Sequence, residues 1–150
     1  MEEGKANNPR EDHLTVVGIT IGDAAGIGPE VSLKAVADEE IRSVCRPVLI
    51  GDLRSLKHTS SDLGLGLDLV PFDEENTPHP LTVEVFDTNN LPDTITVGRD
   101  DARTGKASAE CIETAVRLCQ EGRIDAIATA PISKKAISLG GYDYPGHTEF

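Results

Sequence analysis

Residues 14–22 read LTVVGITIG, an almost continuously apolar run that is rich in β-branched side chains. Such a run is typical of a strand that is buried on both faces of a parallel sheet. A glycine-rich turn follows, and then the helix-like segment GPEVSLKAVADEEIRSV, which carries Pro29 and Glu30 in the first turn where both are favoured. This order predicts a strand–turn–helix unit, which limits the possible folds more than any other feature of the chain.

The same alternation continues to the end of the sequence. Further strands are predicted in RPVLIGD, LDLVPF, LTVEVFD and IDAIATAP, and further helices in DLRSLKHTSSDLG, TGKASAECIETAVRLCQEG and ISKKAISLGG. Residues 88–103 are predicted to form a long polar connection. The pattern predicts a three-layer α/β fold, a mostly parallel sheet with helices on both faces. We expect this sheet to include Val16–Ile21, Val48–Ile50 and Ala126–Thr129.

Composition excludes several classes of partner. The chain has 150 residues, which suffice for one domain with a core, and a formal net charge of −12. That charge argues against binding to nucleic acid or to an anionic membrane, and no apolar run approaches the ~20 residues of a membrane span. Residues 1–13 are predicted to be a disordered polar leader, because they lack the apolar centre of a secretory signal. Cys111 and Cys119 follow a helical spacing and are predicted to face a reduced core, as in a cytoplasmic protein.

The first candidate site is the turn in GITIGDAAGIGPEVSLKAV, residues 18–36. A glycine-rich turn before a helix can bind an anion through free amide groups, but it can also be a plain tight turn. Gly22, Gly26 and Gly28 match neither the dinucleotide pattern nor a Walker loop. Asp23 is the better candidate, because open α/β sheets bind ligands at the carboxyl ends of their strands.

Two more segments carry candidate chemistry. In ATAPISKKA, Lys134 and Lys135 follow a strand end, where they could hold a phosphate or a carboxylate or could simply be solvated. In YPGHTEF, His147 and Thr148 place an imidazole and a hydroxyl beside a carboxylate after a Pro-Gly turn. A lone histidine is more often structural or exposed than functional, so the residue types alone leave both alternatives open.

Taken in order, ITIGDAAGIGPEV, ATAPISKKAISLGG and YDYPGHTEF closely resemble the 4-hydroxythreonine-4-phosphate dehydrogenase family of vitamin B6 biosynthesis, and the resemblance spans about residues 14–150. It implies a fold similar to that of isocitrate and isopropylmalate dehydrogenases, with two α/β domains around a cleft, assembled as a homodimer. It also implies NAD or NADP and a divalent metal (Zn, Mg or Co). The reaction implied is oxidation of the secondary alcohol of 4-phosphooxy-threonine with decarboxylation to 3-amino-2-oxopropyl phosphate.

The resemblance also implies roles for particular residues. His147 would be a catalytic group and would contact the substrate together with Thr148, while Asp23 and Lys134 would line the same cleft and contact the substrate. It places the three metal-binding histidines beyond Phe150, together with most of the phosphate- and cofactor-binding residues, and it assigns no residue of this chain to the cofactor. Ala24 stands where the family has proline, which makes the first glycine-rich turn less rigid. Ala130 stands where the family has glycine, which leaves less room for a close approach at the second segment.

Two other functions remain open at this point. A related dehydrogenase would act on a phosphothreonate or phosphoerythronate, and a truncated, inactive remnant would at most bind an anion. Because family members run to about twice this length, we expect residues 14–150 to be the N-terminal α/β portion of a two-domain dehydrogenase that is inactive alone. We also expect Asp23, Ala130 and His147 to meet at one edge of the sheet.

Overall fold

The computed structural model describes residues 13–77 and 79–143, so that nearly all of the predicted leader lies outside the described residues. Within these ranges the strands are β1 (Val16–Thr20), β2 (Arg46–Gly51), β3 (Asp68–Pro71), β4 (Thr82–Asp87) and β5 (Ala126–Thr129). The helices are α1 (Gly28–Ala37), α2 (Glu39–Val44), α3 (Leu53–Asp62), α4 (Ala102–Gln120) and α5 (Lys134–Leu139). None of these helices is both long enough and apolar enough to cross a membrane.

The strands form one sheet in the order β3-β4-β2-β1-β5, and all four neighbouring pairs are parallel. In register, Thr20 at the end of β1 lies between Ile50 of β2 and Thr129 of β5. The carboxyl ends of the three strands therefore lie at one edge. The predicted α/β fold with a parallel sheet is confirmed.

The sheet separates two apolar clusters. On one face, α1 and α3 cover residues such as Leu49 and Val85. On the other face, α4 covers residues that include Ile50, and Phe86 packs against them. Because consecutive residues of one strand enter opposite clusters, both faces are buried, which explains the continuous apolar runs in the sequence.

Two helix boundaries differ from the sequence prediction. The predicted helix over residues 28–44 is broken at Asp38, whose backbone is extended and whose carboxylate accepts the Glu40 amide at 2.8 Å to cap α2. Helix α4 begins at Ala102 rather than Thr104, because the Asp101 carboxylate accepts the Arg103 amide at 2.8 Å. In both places a capping aspartate, rather than the apolar period, sets the boundary.

Glu84 is a buried acid in the middle of the sheet. The alternating sequence of β4 would place its side chain on a solvent-facing side, but only 2% of the residue is exposed. Arg46 on β2 donates to both carboxylate oxygens of Glu84 at 2.7 Å and also to the Asp73 carbonyl at 2.8 Å. The Phe72 ring lies 5.6 Å below this guanidinium. The buried charge is thus paired and fully hydrogen-bonded.

Glu84→Gln is expected to lower the free energy of unfolding by about 2–4 kcal/mol, because it leaves the guanidinium of Arg46 partly buried without its counter-charge. Glu30→Gln is the matched control, since Glu30 forms an exposed pair with Lys34 on α1. The control should change stability by less than about 1 kcal/mol. Urea unfolding of both variants measures the difference, and equal effects would contradict a structural role for the buried pair.

Cys111 lies inside the cluster beneath α4, as predicted, and only 2% of the residue is exposed. Cys119 is half-buried and packs at the margin of the same cluster. Burial raises the pKa of the Cys111 thiol from 9.0 to about 12. The native thiol therefore keeps its proton at a pH where the unfolded chain loses it.

This raised pKa predicts a loss of stability in alkali. Between about pH 9 and pH 12 the unfolded state binds one proton fewer than the native state at this site, so stability falls as pH rises. Below pH 9 the contribution is fully present. Cys111→Ala should reduce the slope of unfolding free energy against pH by about one proton in this window. Denaturation curves measured across it provide the test, and parallel slopes for the two proteins would contradict the assignment.

Candidate functional site

The turns that follow β1 and β5 lie side by side at the carboxyl edge of the sheet. The Ala130 amide donates to the Thr20 carbonyl at 3.0 Å, and the Asp23 amide donates to the Pro131 carbonyl at 3.0 Å. Two segments more than a hundred residues apart are thereby joined by backbone hydrogen bonds. Asp23 and Ala130 meet at one edge as expected, while His147 and Thr148 lie outside the described residues.

Gly22 is the residue that lets the two turns approach each other. Its φ is +69°, and a β-carbon built on it would overlap the Pro131 carbonyl oxygen. Gly28 is restricted in the same way, since its β-carbon would overlap the Ile21 carbonyl oxygen. Gly26 has only ordinary contacts. Packing therefore explains two of the three glycines in this turn, whatever the turn binds.

Asp23 is held in one orientation by its own turn. One carboxylate oxygen accepts the Ala25 amide at 2.8 Å, and its carbonyl accepts the Gly26 amide at 3.0 Å. The residue is 5% exposed, yet it lines a cavity at the sheet edge. A fixed carboxylate in such a place can accept hydrogen bonds from the hydroxyl or ammonium groups of a ligand.

A third wall comes from residues 88–101, which we call the crossing segment. It is tied down near its start, where the buried Asp52 carboxylate accepts the Leu91 amide at 3.2 Å and Arg54 donates to the Leu91 carbonyl at 3.0 Å. Further along, the Gly98 amide donates to the Ala25 carbonyl at 2.7 Å. The segment thus runs from the end of β2 across the turn that follows β1.

Asp100 then fastens the crossing segment to the start of α5. The Ser133 hydroxyl donates to one carboxylate oxygen at 2.6 Å, and the Lys135 ammonium lies 3.3 Å from the other. The hydrogen bond from Ser133, and next that from Lys135, lower the pKa of the Asp100 carboxyl below its ordinary value. Ser133 also caps α5 by accepting the Ala136 amide at 3.1 Å.

Together the three segments line an open cavity of about 320 Å³. Its ionisable lining groups are two carboxylates and one guanidinium: Asp23, Asp100 and Arg99. The rest of the lining comes from the two turns and the crossing segment: Ala25, Gly26, Ile27, Gly98, Pro131, Ile132 and Ser133. The cavity has the size of a small-molecule site and lies where parallel α/β sheets bind ligands.

The two candidate lysines have different environments. Lys135 pairs with Asp100, whereas Lys134 is exposed at the first position of α5, next to the cavity wall. Across residues 13–77 and 79–143, no ion pair involves Lys134. No group of three or more histidine, cysteine or acidic side chains in the same ranges is arranged to hold a metal ion.

Arg99 and Asp100 are the cavity residues that the sequence analysis missed. Residues 88–103 have the composition of a polar connection, and no sequence spacing links Asp100 to Ser133. The one local signal is Gly98, whose φ of +83° marks a turn directly before the charged pair. A glycine followed by arginine and aspartate in a long connection is the pattern that could have directed attention there.

Comparison with known proteins gives one consistent match. The family described as "Pyridoxal phosphate biosynthetic protein PdxA" matches residues 43–150. The D-threonate 4-phosphate dehydrogenase of Cupriavidus necator is 42% identical over 140 residues, which make up 92% of this chain and 42% of that protein.

Solved structures agree with this match. A 4-hydroxythreonine-4-phosphate dehydrogenase from Burkholderia phymatum has a TM-score of 0.86 and 39% identity, over 92% of this chain and 42% of that one. The corresponding enzyme from Klebsiella pneumoniae has a TM-score of 0.80 and 34% identity, over 90% of this chain and 42% of that one. The chain spans about two fifths of the length of these relatives and has their α/β fold over that portion.

Gly22→Ala is expected to lower the free energy of unfolding by about 3 kcal/mol, since it combines a strained φ with overlap against the Pro131 backbone. Gly26→Ala, in the same turn, is the matched control and should cost less than about 1 kcal/mol. Chemical denaturation of the two variants gives the comparison. If both variants lose the same stability, the close approach of the two turns is not what requires glycine.

Proposed function

The chain belongs to the PdxA family, and on that premise we propose that it is the N-terminal portion of a dehydrogenase that oxidises the secondary alcohol of a small phosphorylated hydroxy acid. Residues 14–150 would form one side of a cleft between two domains, in a homodimer of the full-length protein. The supporting observation is the walled cavity at the carboxyl edge of β1 and β5, which contains the buried carboxylate of Asp23.

The substrate proposed first is a phosphothreonate. The relative from Cupriavidus necator is named a D-threonate 4-phosphate dehydrogenase, and this name favours the hydroxy acid over 4-phosphooxy-threonine. The two compounds differ in one group, a hydroxyl in place of an amine beside the carboxylate. Oxidation of the neighbouring secondary alcohol gives a β-keto acid in either case, and a β-keto acid loses CO2 readily. With 4-phosphooxy-threonine, which remains the second candidate, the product is 3-amino-2-oxopropyl phosphate.

The residues of this chain would bind and orient that substrate. Asp23 would accept a hydrogen bond from a substrate hydroxyl, and Lys134, which follows the lining residue Ser133, would attract the phosphate. His147 and Thr148 would complete the contacts, with His147 moving a proton at the reacting alcohol. These assignments rest on the motif resemblance together with the position of the first two residues beside one cavity.

NAD or NADP and a divalent metal (Zn, Mg or Co) are proposed for the full-length protein. The described residues do not fit a metal, because they contain no cluster of metal-ligating side chains, and none of them is assigned to the dinucleotide. No step of the reaction is therefore assigned to a metal or cofactor contact from this part of the chain. The ligands of both are proposed to lie in the remainder of the protein.

The alternative function is an anion-binding remnant without catalytic activity. Determining whether the coding frame continues past Phe150 distinguishes the two proposals directly. A continuation that contains three well-separated histidines supports the dehydrogenase, whereas a stop codon there supports the remnant.

In the full-length protein, D-threonate 4-phosphate is expected to support metal-dependent reduction of NAD or NADP. His147→Ala should then lower kcat/KM, and the decrease should correspond to a loss of about 2–4 kcal/mol of transition-state stabilisation. The reason is that a charge-assisted contact or a proton transfer is lost. Metal affinity should stay nearly unchanged.

Lys134→Ala should mainly raise KM, and the effect should shrink at high salt, because a surface cation acts through screened attraction. Lys57→Ala on α3, another exposed lysine, serves as the control and should leave KM unchanged. Steady-state kinetics at two ionic strengths provide the measurement. Metal-dependent dehydrogenase activity in the 150-residue chain alone would contradict the partial-enzyme proposal.

A further inference from the structure

We propose that Arg99 is the side chain that binds the oxyanion of the ligand in the 320 Å³ cavity, and that it thereby sets the requirement for a phosphorylated substrate. This inference rests on the proposed function and names the specificity residue of that same site. It assigns the role to the crossing segment, a part of the chain that none of the three sequence motifs includes.

Both neighbours of Arg99 in the chain are anchored, Gly98 through its backbone and Asp100 through its side chain. Immediately before it, the Gly98 amide donates to the Ala25 carbonyl at 2.7 Å. Immediately after it, Asp100 accepts from the Ser133 hydroxyl at 2.6 Å and pairs with Lys135 at 3.3 Å. These contacts join the crossing segment to both turns, so the Arg99 side chain starts from a defined position in the cavity wall. Because its neighbours are anchored, the backbone at Arg99 loses less entropy on ligand binding than a free loop would.

The charge of Arg99 is available to a ligand. Neighbouring cations are paired: Arg103 donates to both carboxylate oxygens of Asp101, and Lys135 contacts Asp100. Arg99 is exposed, and within the described ranges no hydrogen bond or ion pair involves its guanidinium. It is also the only cationic side chain lining the cavity among residues 13–77 and 79–143, since Lys134 lies just outside the lining.

The cavity contains two opposite kinds of polar group. The fixed carboxylate of Asp23 accepts hydrogen bonds, whereas the guanidinium of Arg99 donates them in a fork that matches phosphate and carboxylate oxygens. A ligand that complements both groups carries hydroxyls at one end and an oxyanion at the other. A phosphorylated polyhydroxy acid has this chemistry.

A substrate phosphate and a cofactor pyrophosphate share the oxyanion chemistry. The lining favours the smaller ligand, because the Asp23 carboxylate in the same cavity can accept hydrogen bonds from the hydroxyl groups of a hydroxy acid. We therefore assign the Arg99 contact to the phosphate of the substrate, and the experiment includes the dinucleotide as a separate ligand.

The test is ligand binding to the full-length protein, followed by amide chemical shifts and by calorimetry. The ligands are inorganic phosphate, D-threonate 4-phosphate, unphosphorylated D-threonate and NAD. The variants are Arg99→Gln, Arg99→Lys and the control Arg103→Gln, an exposed arginine four positions away that pairs with Asp101. Thermal unfolding checks that the variants fold, and Arg99→Gln should not change the midpoint, because no intramolecular contact of its guanidinium is lost among the described residues.

The parent chain is expected to bind D-threonate 4-phosphate and, more weakly, inorganic phosphate, with shifts at the amides of residues 98–100. Arg99→Gln should raise the Kd for both about 10- to 100-fold, as for the loss of a charge-assisted hydrogen bond. The Kd values of Arg99→Lys should lie between those of the parent and Arg99→Gln, because lysine keeps the positive charge but lacks the forked donor geometry of the guanidinium. Arg103→Gln should stay within about twofold of the parent.

Three results would overturn the assignment. The first is equal affinity of the parent and Arg99→Gln for the phosphate ligands. The second is that neither inorganic phosphate nor D-threonate 4-phosphate binds at millimolar concentration. The third is that Arg99→Gln weakens the binding of NAD alone. These outcomes are separate from a failure of the proposed function. Phosphate binding that depends on Arg99 in a protein that never reduces NAD or NADP would refute the dehydrogenase and leave the anion site standing.

Discussion

The hydrogen bond from the Asp23 amide to the Pro131 carbonyl joins the two turns on which the candidate site is built. It forms because β1 and β5 are parallel neighbours, so their carboxyl ends meet at one edge, and because Gly22 has no β-carbon to keep the chains apart. Asp23 is turned toward the cavity by the same turn that makes this hydrogen bond. Without that close approach, the carboxylate and the start of α5 would belong to separate surfaces.

The crossing segment converts an open sheet edge into a cavity. Its anchors are polar and each uses a group from a different element: Asp52 after β2, the Ala25 carbonyl after β1, and Ser133 before α5. Polar anchors suit an exposed connection, since its backbone has no neighbouring strand with which to pair. They also place acidic and basic groups around the cavity, and this arrangement gives it the mixed polarity that a phosphorylated hydroxy acid requires.

Much of the fold could be predicted because the local signals and the tertiary structure agree. The run from Val16 is almost continuously apolar and lies inside the sheet, between β2 and β5. The run from Ala126 also forms a strand, but β5 lies at the edge of the sheet and most of its residues are exposed. Helix ends were less predictable, because Asp38 and Asp101 cap helices through single hydrogen bonds that leave no periodic trace. Asp23 could be identified from its place after a strand. Arg99 could not, because its role depends on contacts made by Gly98 and Asp100 across the sheet edge.

The two ends of the sheet carry out different tasks. Towards the amino ends of the strands, Arg46 and Glu84 neutralise each other inside the protein, and stacking on Phe72 shields the pair from water. At the carboxyl edge, Gly22 adopts a conformation that other residues reach only with strain, and Arg99 keeps its charge unpaired among the described residues. An exposed guanidinium without a partner adds little to the stability of the fold. Its charge is available to a ligand, because no existing ion pair among the described residues has to be broken first. The buried pair joins the neighbouring strands β2 and β4, whereas the charged groups of the site lie in the turns and the crossing segment at the carboxyl edge.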